Sequence, residues 1–142
     1  MIVTDFKKHG ITKFTPAEVE NTGATLKDVR LRLILSLQAF RVIVDRRVGL
    51  LRNGMTTGEH DALEHPAGLA VDGYFFPGDG TVEISEIVKA ALKAGFTGIG
   101  VYWNGVQFSF HLDLRPDLGF WYGSKESPGA GAWTFSSLFI TP

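Results

Sequence analysis

The sequence contains no cysteine, and this absence excludes several kinds of site. Without thiols the chain can form no disulfide bridge, no thiolate metal centre and no cysteine nucleophile. Any bound metal ion must therefore be held by imidazole nitrogens and carboxylate oxygens. A chain without cysteine gives no indication of the redox state of its compartment.

Long apolar runs and an excess of one charge are also missing. Residues 31–44 are the most apolar stretch, but Arg32, Gln38 and Arg41 interrupt it, so it falls short of the roughly 20 apolar residues that cross a bilayer. The N-terminal residues lack the pattern of a secretory signal. Lys and Arg number 14 against 15 Asp and Glu, with no long basic run. We therefore expect a protein that is cytoplasmic as synthesised and binds neither membranes nor nucleic acid.

The chain length and the apolar spacing predict one domain built around helices. The 142 residues, 44% of them hydrophobic, suffice for a single domain over residues 1–142. The segment Thr15-Pro-Ala-Glu18 has the form of a capping box, which predicts the start of a short helix. Residues 25–46 contain no glycine or proline and repeat apolar side chains three and four apart, which predicts one long helix. A second amphipathic helix is predicted over residues 82–94.

Alternating patterns predict several short strands between these helices. The predicted strands are residues 48–51, 69–75, 98–103, 106–114 and 134–140. Asn104-Gly105 is typical of a two-residue hairpin turn of the primed types. The residues that follow Pro116, up to the last strand, are predicted to be coil, and residues 52–68 a surface loop. The chain is therefore expected to be an α+β domain with a small, mostly antiparallel sheet flanked by helices.

One strand combines an apolar face with a polar face that carries ionisable groups. His111 and Asp113 share the polar face of the 106–114 strand, which by pattern alone is the solvated side of a half-covered sheet. His65 and Asp72 lie seven residues apart, at a loop end and inside a strand, where both can hold one ion. With His111 as a third ligand, they would leave the open fourth position of a catalytic zinc.

These residues resemble a known family of zinc peptidases. The segment His65-Pro-Ala-Gly-Leu-Ala-Val-Asp72 matches the pattern His-x-x-Gly-x-Ala-x-Asp, and it is followed by Gly-Ile-Gly-Val-Tyr102 and by His-Leu-Asp-Leu-Arg115. This order resembles the zinc D-Ala-D-Ala carboxypeptidases and phage endolysin peptidases, which have the hedgehog/DD-peptidase fold. The resemblance covers about residues 13–115. It implies that His65, Asp72 and His111 are the zinc ligands.

The resemblance also suggests roles for two further residues. Arg52 is a candidate clamp for a substrate carboxylate, because a guanidinium binds a carboxylate in bidentate fashion, or it is a solvated charge at a loop edge. Asp113 is either the general base or a partner that orients a ligand imidazole. Some branches of the family have a catalytic Glu three residues before the last His, where this sequence has Phe108, and a family serine is replaced by Leu63. His60 is a candidate for the rim of the cleft or for action on the leaving group, or, more simply, it is a surface histidine. If Asp113 is not the base, Glu59, His60 and Glu64, in the loop before the first ligand, are the next candidates.

The sequence thus predicts a zinc metallopeptidase that hydrolyses peptide bonds in bacterial peptidoglycan. Zn2+ is the expected cofactor, and a peptidoglycan peptide is the expected substrate. The absence of a signal favours a phage or prophage lysis enzyme acting on the bacterial cell wall. The alternative is a catalytically inactive zinc- or peptide-binding phage structural protein on the same fold. The bond cleaved, the mode of attack (endo- or carboxypeptidase), the general base and the oligomeric state stay open.

Overall fold

A single sheet flanked by helices organises the computed structural model, which describes residues 5–52, 54–55 and 69–137. Within this part of the chain the helices are α1 (Pro16–Glu20), α2 (Leu31–Val44) and α3 (Ile84–Lys93), and the strands are β1 (Val48–Leu50), β2 (Ala70–Phe75), β3 (Gly98–Trp103), β4 (Phe108–Asp113), β5 (Gly119–Ser124) and β6 (Thr134–Ser137). Short 3-10 turns occupy Leu26–Asp28 and Pro77–Asp79. No described helix is long and apolar enough to cross a membrane.

The six described strands form one open sheet in the order β1-β2-β4-β3-β5-β6. Four of the five pairings are antiparallel, and only β3 and β5 run parallel. The predicted α+β class with a mostly antiparallel sheet is therefore confirmed. Strands β2 and β3 lie on either side of β4, so that residues distant in sequence become direct neighbours across the sheet.

The helices agree with the predicted ones except at the start of α2. The capping box is present, since the Thr15 hydroxyl accepts the Glu18 amide and the Glu18 carboxylate accepts the Thr15 amide. The predicted long helix over residues 25–46 is wrong at its start, because Val29 has extended backbone angles and α2 begins at Leu31. A 3-10 turn also repeats every three residues, so the apolar spacing of Leu26 and Val29 fits that turn as well. Helix α3 confirms the second prediction.

The hairpin between β3 and β4 forms, but its turn differs from the predicted one. Trp103 pairs with Phe108, so four residues connect the strands and the predicted two-residue turn is wrong. The Asn104 side-chain oxygen accepts the amides of Val106 and Gln107, both at 2.9 Å. These side-chain bonds, together with a backbone bond from the Asn104 amide to the Gln107 carbonyl, hold the four-residue connection.

The tail after Pro116 contains a strand that the sequence pattern does not reveal. Residues 119–124 form β5, which pairs in parallel with β3, so the prediction of coil there is wrong. Glycine at both the first and fifth positions of β5 weakens its strand pattern, and its partner is distant in sequence. Strand β6 confirms the last predicted strand over residues 134–137.

The hydrophobic core lies between one face of the sheet and helices α2 and α3. Phe40 of α2 is fully buried at its centre, with ring centroids 6.1, 6.5 and 5.2 Å from Phe75, Phe96 and Phe110. Because side chains alternate along a strand, the residues between these core positions point to the opposite face. That opposite face carries the polar residues singled out in the sequence.

Candidate functional site

Four strands bring one row of residues together on the face away from the helices. Asp72 of β2 is the register partner of His111 on β4, His111 is opposite Gly100 on β3, and Gly100 is opposite Trp121 on β5. The alternation that places Phe110 and Leu112 in the core places His111 and Asp113 on this face. Pairing between strands, rather than proximity in sequence, therefore assembles the site.

His111 lies between two carboxylates. Its Nδ1 is 2.8 Å from an Asp72 oxygen, and its Nε2 is 2.7 Å from Asp113 Oδ2. The residue is only 7% exposed, and Asp113 is fully buried. Both ring nitrogens are thus engaged, and the orientation of the imidazole is fixed from both sides.

Asp113 is held in turn by Arg115. Its Oδ1 accepts the Arg115 backbone amide at 3.1 Å and Nε at 2.8 Å, and its Oδ2 accepts the terminal guanidinium nitrogen Nη2. Together with His111 Nε2, these bonds occupy the four lone-pair positions of a carboxylate. The charge of Asp113 is therefore neutralised inside the fold rather than by water.

The same contacts shift the pKa values of both residues. Burial alone would lower the pKa of His111, but hydrogen bonds to Asp113 and Asp72 outweigh it and raise that pKa to about 9. Burial alone would raise the pKa of Asp113, but bonds from Arg115 and His111 hold it well below its usual range. At neutral pH the imidazole is consequently a cation between two carboxylates.

Two glycines of β3 leave the space that this arrangement needs. A Cβ on Gly98 would overlap the Asp113 carboxylate and the Arg115 guanidinium. A Cβ on Gly100 would overlap the indole of Trp121. Side chains from β4 and β5 thus lie across the backbone of β3, as only glycine permits at such close approach.

The Trp121 indole lies along one side of the site, next to His111 and Arg115. The Trp121 ring centroid is 5.4 Å from that of His111, and the Arg115 guanidinium carbon is 5.2 Å from the Trp121 ring. The indole Nε1 donates a hydrogen bond of 2.6 Å to the Tyr102 hydroxyl oxygen. Burial raises the pKa of Tyr102 above its usual value, so its hydroxyl is neutral at ordinary pH.

Of the residues singled out in the sequence, Asp72, His111 and Asp113 lie together. His111 and Asp113 are buried, unlike the solvated polar face that the pattern alone indicated. Arg52 is exposed in the turn that follows β1, where the neighbouring Gly54 carbonyl accepts the Asp72 amide at 2.7 Å. His65 lies outside the described residues, as do Glu59, His60, Leu63 and Glu64.

The described part of the site supplies a partial donor set for a metal. Within that part, no group of three His, Asp or Glu side chains is arranged to hold an ion. Two ligands of a tetrahedral zinc, each about 2.05 Å from it, lie about 3.3 Å apart. The 2.8 Å between His111 Nδ1 and Asp72 Oδ1 is close to that separation. The pair would have to separate by about half an ångström to hold zinc, and His65, the third ligand that the sequence predicts, lies outside the described residues.

Sequence reasoning assigned no role to several residues that form the site. Four of them belong to the two segments that carry the family resemblance, and those segments could have pointed to them. Gly98, Gly100 and Tyr102 lie in Gly-Ile-Gly-Val-Tyr, and Arg115 ends His-Leu-Asp-Leu-Arg. Trp121 lies beyond them in the unpredicted strand β5. Its contact with His111 depends on the parallel pairing of β5 with β3.

No family model, curated protein or solved structure matches the chain. Its function must therefore be inferred from the residues and geometry of this face.

Proposed function

We propose that the chain is a zinc-dependent metallopeptidase that hydrolyses peptide bonds in bacterial peptidoglycan, as an endolysin or a carboxypeptidase. The proposal includes a hedgehog/DD-peptidase-like fold and, on the sequence resemblance alone, action on the cell wall and a phage or prophage origin. The observation that carries it is the 2.8 Å approach of Asp72 to His111. These are two of the three residues that the resemblance names as zinc ligands.

The two ring nitrogens of His111 have different roles in this proposal. Asp72 and His111 Nδ1 would hold the metal together with His65, while His111 Nε2 donates to Asp113. A ligand imidazole whose second nitrogen donates to a carboxylate is fixed in tautomer and orientation and is a stronger donor. When bound, zinc polarises a substrate carbonyl and lowers the pKa of water.

Asp113 acts in this proposal by positioning His111. All four of its lone-pair positions accept hydrogen bonds, it is fully buried, and its low pKa makes it a poor proton acceptor. Of the two roles open from the sequence, the geometry favours the positioning role. The general base is then sought among Glu59, His60 and Glu64, which precede the first ligand in the sequence.

Arg52 is the proposed contact for the substrate carboxylate. Its turn lies against Asp72, since the Leu51 amide donates to the Asp72 carbonyl and the Asp72 amide donates to Gly54. Arg52 is exposed in this turn, and in this proposal its guanidinium reaches a ligand that approaches the Asp72–His111 pair. A planar guanidinium matches the two oxygens of a terminal carboxylate.

The test combines metal content with peptidoglycan digestion. Purified protein supplied with zinc should bind one equivalent and release new amino and carboxyl groups from peptidoglycan, with mass analysis of the products identifying the bond cut. His65→Ala, Asp72→Ala and His111→Ala should each lose most of the bound zinc and nearly all activity. His9→Ala is the matched control, because His9 lies in the turn of residues 6–10 and should leave both quantities unchanged.

The outcomes separate the competing interpretations. Zinc binding by these three residues without hydrolysis would overturn the enzymatic proposal and favour the inactive binding protein. Absence of stoichiometric zinc, with all three variants behaving as wild type, would overturn the metal site itself.

A further inference from the structure

The hydrogen bond between Trp121 and Tyr102 has only one possible direction. An indole nitrogen carries a proton and has no lone pair to accept one, so Trp121 Nε1 donates and the Tyr102 oxygen accepts, at 2.6 Å. The phenol proton is thereby left for a different acceptor. Among the described residues, none is within hydrogen-bonding geometry to receive it.

The ring of Tyr102 is held in place on the same face as His111. Its centroid is 5.7 Å from that of Trp133 and 6.4 Å from that of Phe135, both in edge-to-face contact. Tyr102 lies two residues after Gly100, the register partner of His111, and therefore on the same side of β3. The Trp121 indole, which donates to the Tyr102 oxygen, also packs against the His111 imidazole, with ring centroids 5.4 Å apart.

The charged residues around Tyr102 indicate which acceptor its phenol proton can serve. Burial keeps the phenol of Tyr102 neutral, with Asp72 and Asp113 opposing its ionisation and Arg115 favouring it. Arg115 is bonded to Asp113, and His111 lies between Asp113 and Asp72, so each cation of the site is held against a carboxylate. A neutral hydroxyl can donate a hydrogen bond to a substrate carbonyl oxygen that gains negative charge without disturbing these pairs.

We propose that the Tyr102 hydroxyl is a catalytic hydrogen-bond donor to the carbonyl oxygen of the peptide bond being hydrolysed. This inference rests on the proposed peptidase function. The phenol keeps its proton throughout and lends a hydrogen bond that strengthens as charge develops on the oxygen. Trp121 positions the phenol oxygen through the bond that it donates.

The test is Tyr102→Phe in the full, zinc-supplied chain. The substitution keeps the ring and its aromatic contacts and removes only the donor. We expect kcat to fall about 100-fold, the scale for loss of one such donor, with KM nearly unchanged. Affinity for a phosphinate analogue of D-alanyl-D-alanine, whose charged oxygen imitates the transition state, should fall by more than 10-fold. Bound zinc and the thermal unfolding midpoint should be close to wild type.

Tyr74→Phe is the matched control. Tyr74 lies two residues after Asp72 on the same face of β2, and its hydroxyl is near Gly49 rather than the indole. This variant should retain wild-type kcat and phosphinate affinity. Equal losses in both variants would overturn the specific role of Tyr102.

The failure of this inference can be distinguished from failure of the proposed function. An active wild type with an equally active Tyr102→Phe variant would overturn the donor and leave the peptidase standing. A loss confined to KM, or accompanied by loss of zinc, would also overturn it in favour of a binding or structural role. An inactive wild type would overturn the peptidase. If its phosphinate affinity still fell in Tyr102→Phe and not in Tyr74→Phe, the hydroxyl would be a donor to a bound ligand oxygen in a protein that binds without turnover.

Discussion

Arg115 surrounds the carboxylate of Asp113, two residues before it, with three hydrogen bonds from its backbone and guanidinium groups. Residues i and i+2 of an extended chain share a face, which permits this contact within a single segment. Full burial makes the pair costly to break, because an unpaired carboxylate would be left in the fold. The pair thereby supplies a fixed anion against which His111 is oriented.

Asp113→Asn tests whether this anion orients a metal ligand. Asparagine keeps the shape and removes the charge, so His111 would become a weaker and less well-oriented donor. We expect zinc affinity to fall by about 10- to 100-fold, while turnover at saturating zinc stays within a few-fold of wild type. Competition with a chelator measures the affinity, and digestion at saturating zinc measures the turnover.

The opposite pattern would identify Asp113 as the general base. In that case the variant would keep its zinc affinity and lose about 100-fold or more in turnover. Wild-type values of both quantities would reduce Asp113 to a structural role.

Gly98→Ala tests whether the pair depends on the space above β3. The added Cβ would overlap the Asp113 carboxylate, so either the ion pair or the strand must shift. We expect the free energy of unfolding to fall by about 1–3 kcal/mol, and zinc affinity to fall with it. Denaturant unfolding measures the first quantity. Gly129→Ala, where a Cβ would meet nothing within 4 Å, should change stability by less than about 0.5 kcal/mol.

Local signals in the sequence were sufficient for most elements of the fold. The capping box at Thr15 and the apolar stripe of α3 depend only on residues within one turn of helix, and both were predicted. The two faces of β4 also follow from alternation alone. Where two local structures share one period, as at Val29, the pattern could not choose between them.

The burial and contacts of the site depend on pairings that no local pattern contains. Alternation placed His111 and Asp113 on one face, but their burial depends on Arg115 and on Trp121 from a strand that pairs in parallel with β3. The grouping of Asp72 with His111 was predicted from their metal-binding side chains and from the family resemblance, and not from any pattern of strand pairing. It exists because β4 lies beside β2, and strand order is a property of the whole chain.

Arg52→Ala tests the proposed clamp on the substrate. If the guanidinium binds a terminal carboxylate, KM for a peptide with a free C-terminus should rise about 10- to 100-fold, and Arg52→Lys should restore only part of the loss. KM for the same peptide capped as an amide should change little. The exposed Arg32 of α2 provides the control, because Arg32→Ala removes an equal charge elsewhere. A uniform effect on both peptides would argue against a carboxylate clamp.

The pKa of His111 predicts how the stability of the zinc-free protein depends on pH. That pKa is about 9 in the folded chain and about 6.5 when unfolded, so the imidazole gains stability from its charged form. The contribution is fully present below pH 6.5, declines as the pH rises, and is absent above about 9. At 1.36 kcal/mol per pKa unit it amounts to at most about 3–4 kcal/mol.

The low pKa of Asp113 affects stability at acidic pH. Its contribution to the free energy of unfolding is present above the ordinary carboxyl pKa, and it is lost as the pH falls through the pKa of the folded state. The metal-free protein should therefore be most stable between about pH 4.5 and 6.5 with respect to this pair. Urea unfolding with a chelator, at intervals from pH 4 to 9.5, measures the profile. His111→Gln should remove the decline above pH 6.5. If zinc binds His111 as proposed, saturating zinc should reduce that decline, because the metal competes with the proton for the imidazole. A wild-type profile that is flat or rises between pH 6.5 and 9 would contradict the charged imidazole between two carboxylates.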